Sequence, residues 1–171
     1  MQKITRVFSQ PCLEVNQTVL EGFNALKEED FKTKTHLFNG RFENLYLDPE
    51  KIPGLNVIVE TAMQEAAKIL NLDVNRLVSG FWLNAMRPGD ITTAHTHDDD
   101  DELLSCVYYI SVPDDAEKSG QLIITHDDEQ TRITPQEGMF VFFSPATLHE
   151  VTENKTQETR LSIAFNFGEK I

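Results

Sequence analysis

Three of the five histidines in this 171-residue chain have a spacing that suits a metal centre. His95 and His97 are one residue apart, and alternate residues of an extended segment point to the same side. His149 comes 54 residues after His95, at the start of another predicted strand. Three imidazoles from two strands can bind a first-row metal ion and leave its opposite positions open. We therefore predict a metal site at these three histidines.

The first motif also allows a different ligand pair. His97 and Asp99 form a His-X-Asp sequence, which is typical of metal sites built from two histidines and one carboxylate. In that interpretation His95 is only a neighbour of the metal, and Asp99 replaces it as a ligand. A third interpretation places His95 and His97 on the surface, beside the acidic run at residues 98–102. The residues alone leave these alternatives open.

Arg160 opens the last predicted strand, residues 160–167, and is a candidate for binding an anion. The apolar residues Leu161, Ile163 and Phe165 predict one buried face, so Arg160 and Ser162 share the other face. If that face looks into the protein, the buried cation needs an anionic partner. A guanidinium can bind a carboxylate through two parallel hydrogen bonds, and the Ser162 hydroxyl can add a third. The alternative is a strand end that faces solvent.

Tyr108 and Tyr109 lie in the middle of a predicted strand at residues 103–112. Alternation puts one tyrosine on each face of the sheet. The inward-facing one can donate its hydroxyl to the same carboxylate as Arg160. A tyrosine in a strand is also common in an ordinary core, so this pair adds little by itself.

The elements that must position these residues fall into two parts. Within residues 1–78 the sequence pattern predicts a strand at 4–8, a short helix capped by Asn16 or Thr18, and a longer amphipathic helix at 55–70. From residue 79 the apolar period changes to two. Short strands are predicted at residues 81–86, 103–112, 122–125, 131–134, 139–143, 149–151 and 160–167. The pattern predicts one domain over 1–171, in which helices buttress one face of a sandwich or barrel formed by 79–171.

Composition narrows the functional class. The formal net charge is −13 and no basic stripe is present, which argues against nucleic acid as a partner. No apolar run approaches 18 residues and no Arg-rich leader is present, so neither membrane insertion nor secretion is predicted. Cys12 and Cys106 lie far apart in the sequence and are predicted to be buried thiols in a cytoplasmic protein.

The ordered set of motifs resembles the 2-oxoglutarate (2OG) and Fe(II)-dependent dioxygenases, in particular the prolyl 4-hydroxylase-like branch. The resemblance covers about residues 80 to 167. It rests on the Pro88-Gly89 turn six residues before His95, the Tyr-Tyr strand, the turn at residues 119–122, the strand at 138–144, His149 and Arg160. Within this superfamily the chain also resembles an uncharacterised subgroup of oxygenases that has a His-X-His first motif and a Tyr-Tyr strand.

This resemblance implies a double-stranded β-helix, also called a jelly roll or cupin-like fold. It implies an oxidoreductase that uses Fe(II) and 2OG and releases succinate and CO2. The spacing from Gly89 makes His95 the first ligand and puts His97 where the family usually has its carboxylate. Arg160 would bind the distal carboxylate of 2OG, with Tyr109 and Ser162 assisting.

Two other functions compete with this one. A cupin-like enzyme with three histidine ligands would keep the metal but would not use 2OG. A non-catalytic jelly-roll module would use neither. The sequence does not identify the substrate beyond O2 and a small molecule or peptide. Jelly-roll oxygenases often form homodimers, and a homodimer is kept as a prediction without an identified interface.

Overall fold

The chain forms two antiparallel sheets and two α-helices in a computed structural model that describes residues 3–97, 101–115 and 119–171. The helices are α1 (Gln10–Asn24) and α2 (Leu55–Leu70), with short 3₁₀ turns at Glu28–Asp30, Pro49–Lys51 and Val74–Arg76. The strands within the described ranges are β1 (Thr5–Phe8), β2 (Phe31–Phe38), β3 (Arg41–Leu47), β4 (Leu77–Met86), β5 (Thr92–His95), β6 (Glu102–Ser111), β7 (Leu122–His126), β8 (Glu129–Ile133), β9 (Met139–Phe143), β10 (Leu148–Val151) and β11 (Arg160–Glu169).

The larger sheet has the strand order β1-β9-β6-β11-β4-β3-β2, and the smaller one has the order β5-β10-β7-β8. Strand β11 lies between β4 and β6 and pairs with β4 along its whole length, from Arg160 opposite Met86 to Glu169 opposite Leu77. The two sheets pack face to face through an apolar cluster. Its buried members are Tyr109, Leu122, Ile124, Ile133, Met139, Val141 and Phe143. This arrangement confirms the predicted mainly β, jelly-roll fold.

Both helices cover the outer face of the larger sheet. The stripe Leu55, Ile58, Ala62 and Ala66 on α2 is fully buried, as its helical spacing predicts. Helix α1 begins earlier than predicted, and the proposal of Asn16 or Thr18 as its cap is wrong. Ser9 is the cap, because its Oγ accepts a hydrogen bond from the Cys12 amide at 3.3 Å.

Asn16 instead joins helix α1 to the sheet. The Tyr108 hydroxyl donates to Asn16 Oδ1 at 2.7 Å, and Asn16 Nδ2 donates to the Tyr109 carbonyl at 3.4 Å. Asn16 is 5% exposed and Tyr108 is fully buried. An unmatched polar group here would have no access to water.

We expect Asn16→Leu to lower the free energy of unfolding by about 1–3 kcal/mol, because the buried Tyr108 hydroxyl loses its acceptor. Adding Tyr108→Phe should recover part of that loss, since both polar partners are then gone. Urea unfolding of the two single variants and the double variant measures the coupling. Strict additivity of the two changes would contradict this account.

Two further observations concern the environment of the chain. Cys12 and Cys106 are both buried free thiols, as predicted. Within the described residues, neither helix is long and apolar enough to cross a membrane.

Candidate metal centre and its cleft

The three histidines that were predicted to bind a metal lie together and line one cleft of the protein. His95 ends β5 and lies directly opposite His149 on the neighbouring strand β10. His97 follows two residues after β5, where its amide donates to the Pro145 carbonyl at 2.8 Å. One nitrogen from each ring lies within 4.8 Å of those from the other two. The structure therefore brings together residues that are 54 positions apart in the chain.

His95 and His149 each use one ring nitrogen in a hydrogen bond to the backbone, which leaves the other nitrogen available to bind a metal. His95 Nδ1 lies 2.7 Å from the Thr93 carbonyl, and His149 Nδ1 lies 2.9 Å from the Thr147 carbonyl. A carbonyl can only accept, so each Nδ1 carries a proton, and in a neutral ring the free lone pair is then on Nε2. Such backbone contacts fix the orientation of metal-binding imidazoles.

Burial keeps His149 neutral. It is 5% exposed, and the loss of hydration lowers its pKa to about 3, a shift that the Thr147 carbonyl opposes and that His95 and His97 reinforce. A neutral imidazole is the form that binds a metal ion. The Phe143 ring lies 4.8 Å from the His149 ring, and Trp82 lies 5.3 Å from His97. Trp82 is buried and lines the same cleft as the histidines.

This set of donors fits a divalent first-row metal, including Fe(II). Three imidazoles converge, and among the described residues the cluster contains no acid. The alternative ligand, Asp99, lies outside the described residues, as do Asp98 and Asp100. The choice between His97 and Asp99 therefore stays a prediction.

Arg160 lies in the same cleft as the histidines and is 2% exposed. Its Nη1 lies 3.2 Å from Met86 Sδ and 3.5 Å from Ser162 Oγ, and its Cζ lies 5.1 Å from the Tyr109 ring centroid. Burial lowers the pKa of Arg160, and the neighbouring Tyr109 hydroxyl partly offsets this. The side chains predicted to bind 2OG therefore lie together.

Two buried donors at this position have no partner. Across the described residues, neither Arg160 Nε nor the Tyr109 hydroxyl forms a hydrogen bond of normal geometry. Among the described residues, the groups contacting the guanidinium are a thioether, a hydroxyl and an aromatic ring, none of which is negatively charged. A buried cation in such surroundings is costly unless an anion joins it. The cleft, about 590 Å³ in volume, has room for a small dicarboxylate beside the histidines.

Gly120 is a further residue of this site that sequence reasoning did not identify. It has φ +58°, and a Cβ atom there would lie 3.1 Å from Arg160 Cδ. The turn at residues 119–122 therefore presses its bare backbone against the arginine side chain. The sequence placed this glycine in a turn, which is typical of a left-handed backbone conformation, but gave no indication of its contact with Arg160.

We expect Gly120→Ala to weaken 2OG binding by roughly 10-fold, because the new methyl group displaces Arg160. Fe(II) affinity should stay unchanged, since the histidines lie elsewhere in the cleft. Gly40→Ala is the matched control: its φ is +74°, and no described atom lies within 4 Å of the added Cβ. Calorimetric titration of both variants tests this. Equal losses in the two variants would mean that backbone strain alone is responsible.

Comparison with known proteins agrees with this geometry. Residues 80–166, just over half of the chain, match the sequence profile of a family described as "Putative 2OG-Fe(II) oxygenase". No curated protein matches the chain.

Among solved structures, a Pseudomonas putida prolyl-4-hydroxylase has a TM-score of 0.73 at 18% identity, over 100% of this chain and 90% of that one. A Trichoplax adhaerens prolyl hydroxylase, solved with a hypoxia inducible factor peptide fragment, has a TM-score of 0.71 at 15% identity, over 97% and 83%. A viral collagen prolyl hydroxylase of Paramecium Bursaria Chlorella virus-1, in its 2OG complex, has a TM-score of 0.59 at 14% identity, over 98% and 96%. At such identities the likeness establishes the fold alone.

Proposed function

The chain belongs to the 2OG-Fe(II) oxygenase family, and from that premise we propose that its clustered histidines hold the iron and that Arg160 binds 2OG. As a member of this family it is an oxidoreductase that uses Fe(II), 2OG and O2. The proposed iron ligands are His95, His97 and His149. The observation that carries the proposal is the buried Arg160 guanidinium, which lies beside this cluster with an unpaired donor.

When bound, iron and 2OG would supply the oxidation, in which one atom of O2 would enter succinate as 2OG loses CO2 and the other would enter a C–H bond of the substrate. The chain's own residues bind and orient the reactants. Arg160 offers a planar pair of donors to the distal carboxylate, and Tyr109 and Ser162 offer hydroxyls next to it. The carbonyls of Thr93 and Thr147 keep the Nε2 atoms of His95 and His149 directed away from the backbone.

Two aromatic rings limit the access of water. Trp82 and Phe143 pack against His97 and His149, so the proposed ligands are covered on those sides. A dry site strengthens the attraction between Arg160 and a carboxylate, because there is less solvent to screen it. The aromatic walls therefore support binding of 2OG as well as protection of the metal.

Turnover without substrate tests the proposal. The protein loaded anaerobically with Fe(II) should convert 2OG slowly to succinate when O2 is admitted. A double variant, His95→Ala with His149→Ala, should lose this conversion, and exposed His126→Ala should retain it. Equal succinate formation in the double variant would refute the placement of the iron at these histidines, and no succinate from the wild-type protein would favour a non-catalytic module.

We expect His97→Ala to weaken Fe(II) binding strongly and Asp99→Ala to leave it nearly unchanged, because His97 already lies within reach of the other two ligands. Anaerobic Fe(II) titration of the two variants compares them directly. If the opposite order is found, the second ligand is Asp99, and the site has the two-His-one-carboxylate pattern.

The sequence also left open a three-histidine enzyme that does not use 2OG. The donor set alone would suit such an enzyme, since three imidazoles carry no negative charge to the metal. The buried Arg160, which has no acidic partner among the described residues, argues against it, because such an enzyme has no use for a carboxylate-binding cation. Loss of 2OG binding in an Arg160 variant separates the two candidates.

We further propose a small-molecule or peptide substrate that enters by the same cleft, past Asn44, Tyr46 and Trp82. The proposed organisation is a single domain, with residues 1–78 as the buttress and 79–171 as the core. The free thiols support a cytoplasmic location, and the acidic charge supports a partner other than nucleic acid. A homodimer is also proposed, on fold analogy alone.

A further inference from the structure

Arg41, on β3, is a buried cation outside the residues that match the family profile. It is 8% exposed, and burial lowers its pKa while the carboxylates of Asp90 and Glu43 oppose that shift. Its donors all reach acceptors on β3, on β4 or in the turn after β4. Nη1 donates to Asn84 Oδ1 at 2.7 Å and to the Ala85 carbonyl at 3.3 Å. Nη2 donates to the Ile91 carbonyl at 3.0 Å and to Glu43 Oε1 at 3.5 Å. Nε lies 3.2 Å from Asp90 Oδ2.

The segment that Arg41 holds leads directly to the proposed metal centre. Residues 87–91 join β4 to β5, and the Ile91 carbonyl immediately precedes Thr92, the first residue of β5. His95 is the last residue of that four-residue strand. Asn84 accepts a hydrogen bond from Arg41 through its Oδ1, and its Nδ2 lies 3.5 Å from Thr92 Oγ1. The guanidinium therefore fixes the start of the strand whose end carries the first proposed ligand.

The other side of the same turn is held by Asn154, in the loop between β10 and β11. The Gly89 amide donates to the Asn154 carbonyl at 2.7 Å, and the Asn154 amide donates to the Asp90 carbonyl at 2.9 Å. Asn154 Nδ2 donates to the Met86 carbonyl at 2.9 Å. These contacts tie the turn to the chain that follows His149. Arg41 ties it to the larger sheet, so the two together set the position of β5 at the edge of the smaller sheet.

We propose that Arg41 is a positioning residue that fixes His95 opposite His149 by holding the turn at residues 87–91. This inference rests on the proposed function only in taking His95 as an iron ligand. A well-packed apolar side chain in place of a buried ion pair often stabilises a protein equally well. Arg41 is therefore needed for the geometry of its hydrogen bonds: one planar guanidinium donates to β4, to the turn and to the residue before β5 at the same time.

Variants of Arg41 test this role. Arg41→Met removes the donors and the charge at similar volume, and Arg41→Lys keeps the charge but loses the planar fork. Arg76→Met is the matched control, because Arg76 forms an exposed ion pair with Glu169 remote from the turn. The first readout is amide hydrogen exchange of the metal-free proteins. The second is anaerobic Fe(II) affinity.

We expect faster exchange in Arg41→Met at residues 87–97, with β6 and β11 unchanged, and a loss of Fe(II) affinity of roughly 10- to 100-fold. Arg41→Lys should fall between wild type and Arg41→Met, and Arg76→Met should match wild type. Unchanged exchange at residues 87–97 would overturn the proposal. Uniformly faster exchange in all strands would also overturn it, since Arg41 would then serve only global stability.

The exchange readout separates this inference from the proposed function. If the wild-type protein binds no Fe(II) but residues 87–97 exchange faster in Arg41→Met alone, the positioning of His95 stands and the iron assignment fails. If Fe(II) binds equally well to wild type and to Arg41→Met, the iron assignment stands and the positioning role fails.

Discussion

Arg160→Met should weaken 2OG binding by at least about 30-fold and leave Fe(II) binding intact. Removing one partner of a buried, hydrogen-bonded charge pair costs about 2–5 kcal/mol, which corresponds to roughly 30-fold to several-thousand-fold in affinity. The histidines do not contact the arginine in the hydrogen bonds described above, so the metal site should survive. Calorimetric titration with 2OG and, separately, with Fe(II) measures both affinities.

The stability of the same variant gives a second, less intuitive expectation. Arg160 is 2% exposed, and its described contacts include no acidic side chain. Replacing it with methionine should therefore leave the free energy of unfolding without 2OG unchanged or raise it. Arg132→Met, at an exposed position on β8, is the matched control. An Arg160→Met protein that binds 2OG as tightly as wild type would refute the carboxylate role.

His149→Ala should remove Fe(II) binding altogether in the micromolar range. The ring supplies one of three converging nitrogens, and it is the most buried of the three. Loss of a direct ligand should exceed the roughly 10- to 100-fold loss typical of a residue that only supports a ligand. Anaerobic titration with Fe(II) measures the effect.

His126→Ala is the control for this change. His126 is exposed at the end of β7, its Nε2 lies 3.2 Å from Asp127 Oδ2, and it is not a member of the cluster. It should bind Fe(II) as wild type does. Similar Fe(II) affinities for His149→Ala and wild type would show that the cluster is not the iron site.

Much of the β half could be predicted because its signals are local. Alternation along residues 160–167 identified the buried face of β11, and Leu161, Ile163 and Phe165 are indeed buried in the core while Arg160 and Ser162 share the opposite face. The same rule separated the two tyrosines: Tyr108 packs in the core under the helices and Tyr109 lies with the cluster between the sheets.

The hairpin of β2 and β3 was not predicted. Strand β2 is the edge of the larger sheet, and its sequence, Phe-Lys-Thr-Lys-Thr-His-Leu-Phe, has no clean apolar alternation. Edge strands carry charges that discourage pairing with other chains, so the periodic signal is weak there. Arg41 follows this strand, and its role depends on partners more than 40 residues away.

The helix cap shows a different kind of failure. Asn16 is a good capping residue by type, but its side-chain carboxamide forms hydrogen bonds with the Tyr108 hydroxyl and the Tyr109 carbonyl of the sheet. Propensity cannot distinguish a polar residue that caps a helix from one that satisfies a buried partner on another element. Gly120 is similar, since its contact with Arg160 depends on the packing of two distant segments.

The most direct test of the central claim is an anaerobic titration of the metal-free protein with Fe(II) and 2OG, monitored for the visible metal-to-ligand charge-transfer band. We predict a band that requires both components, disappears in Arg160→Met and persists in Arg132→Met. Metal binding without a band would contradict the use of 2OG at this site. Absence of metal binding would contradict the assignment of His95, His97 and His149 as ligands.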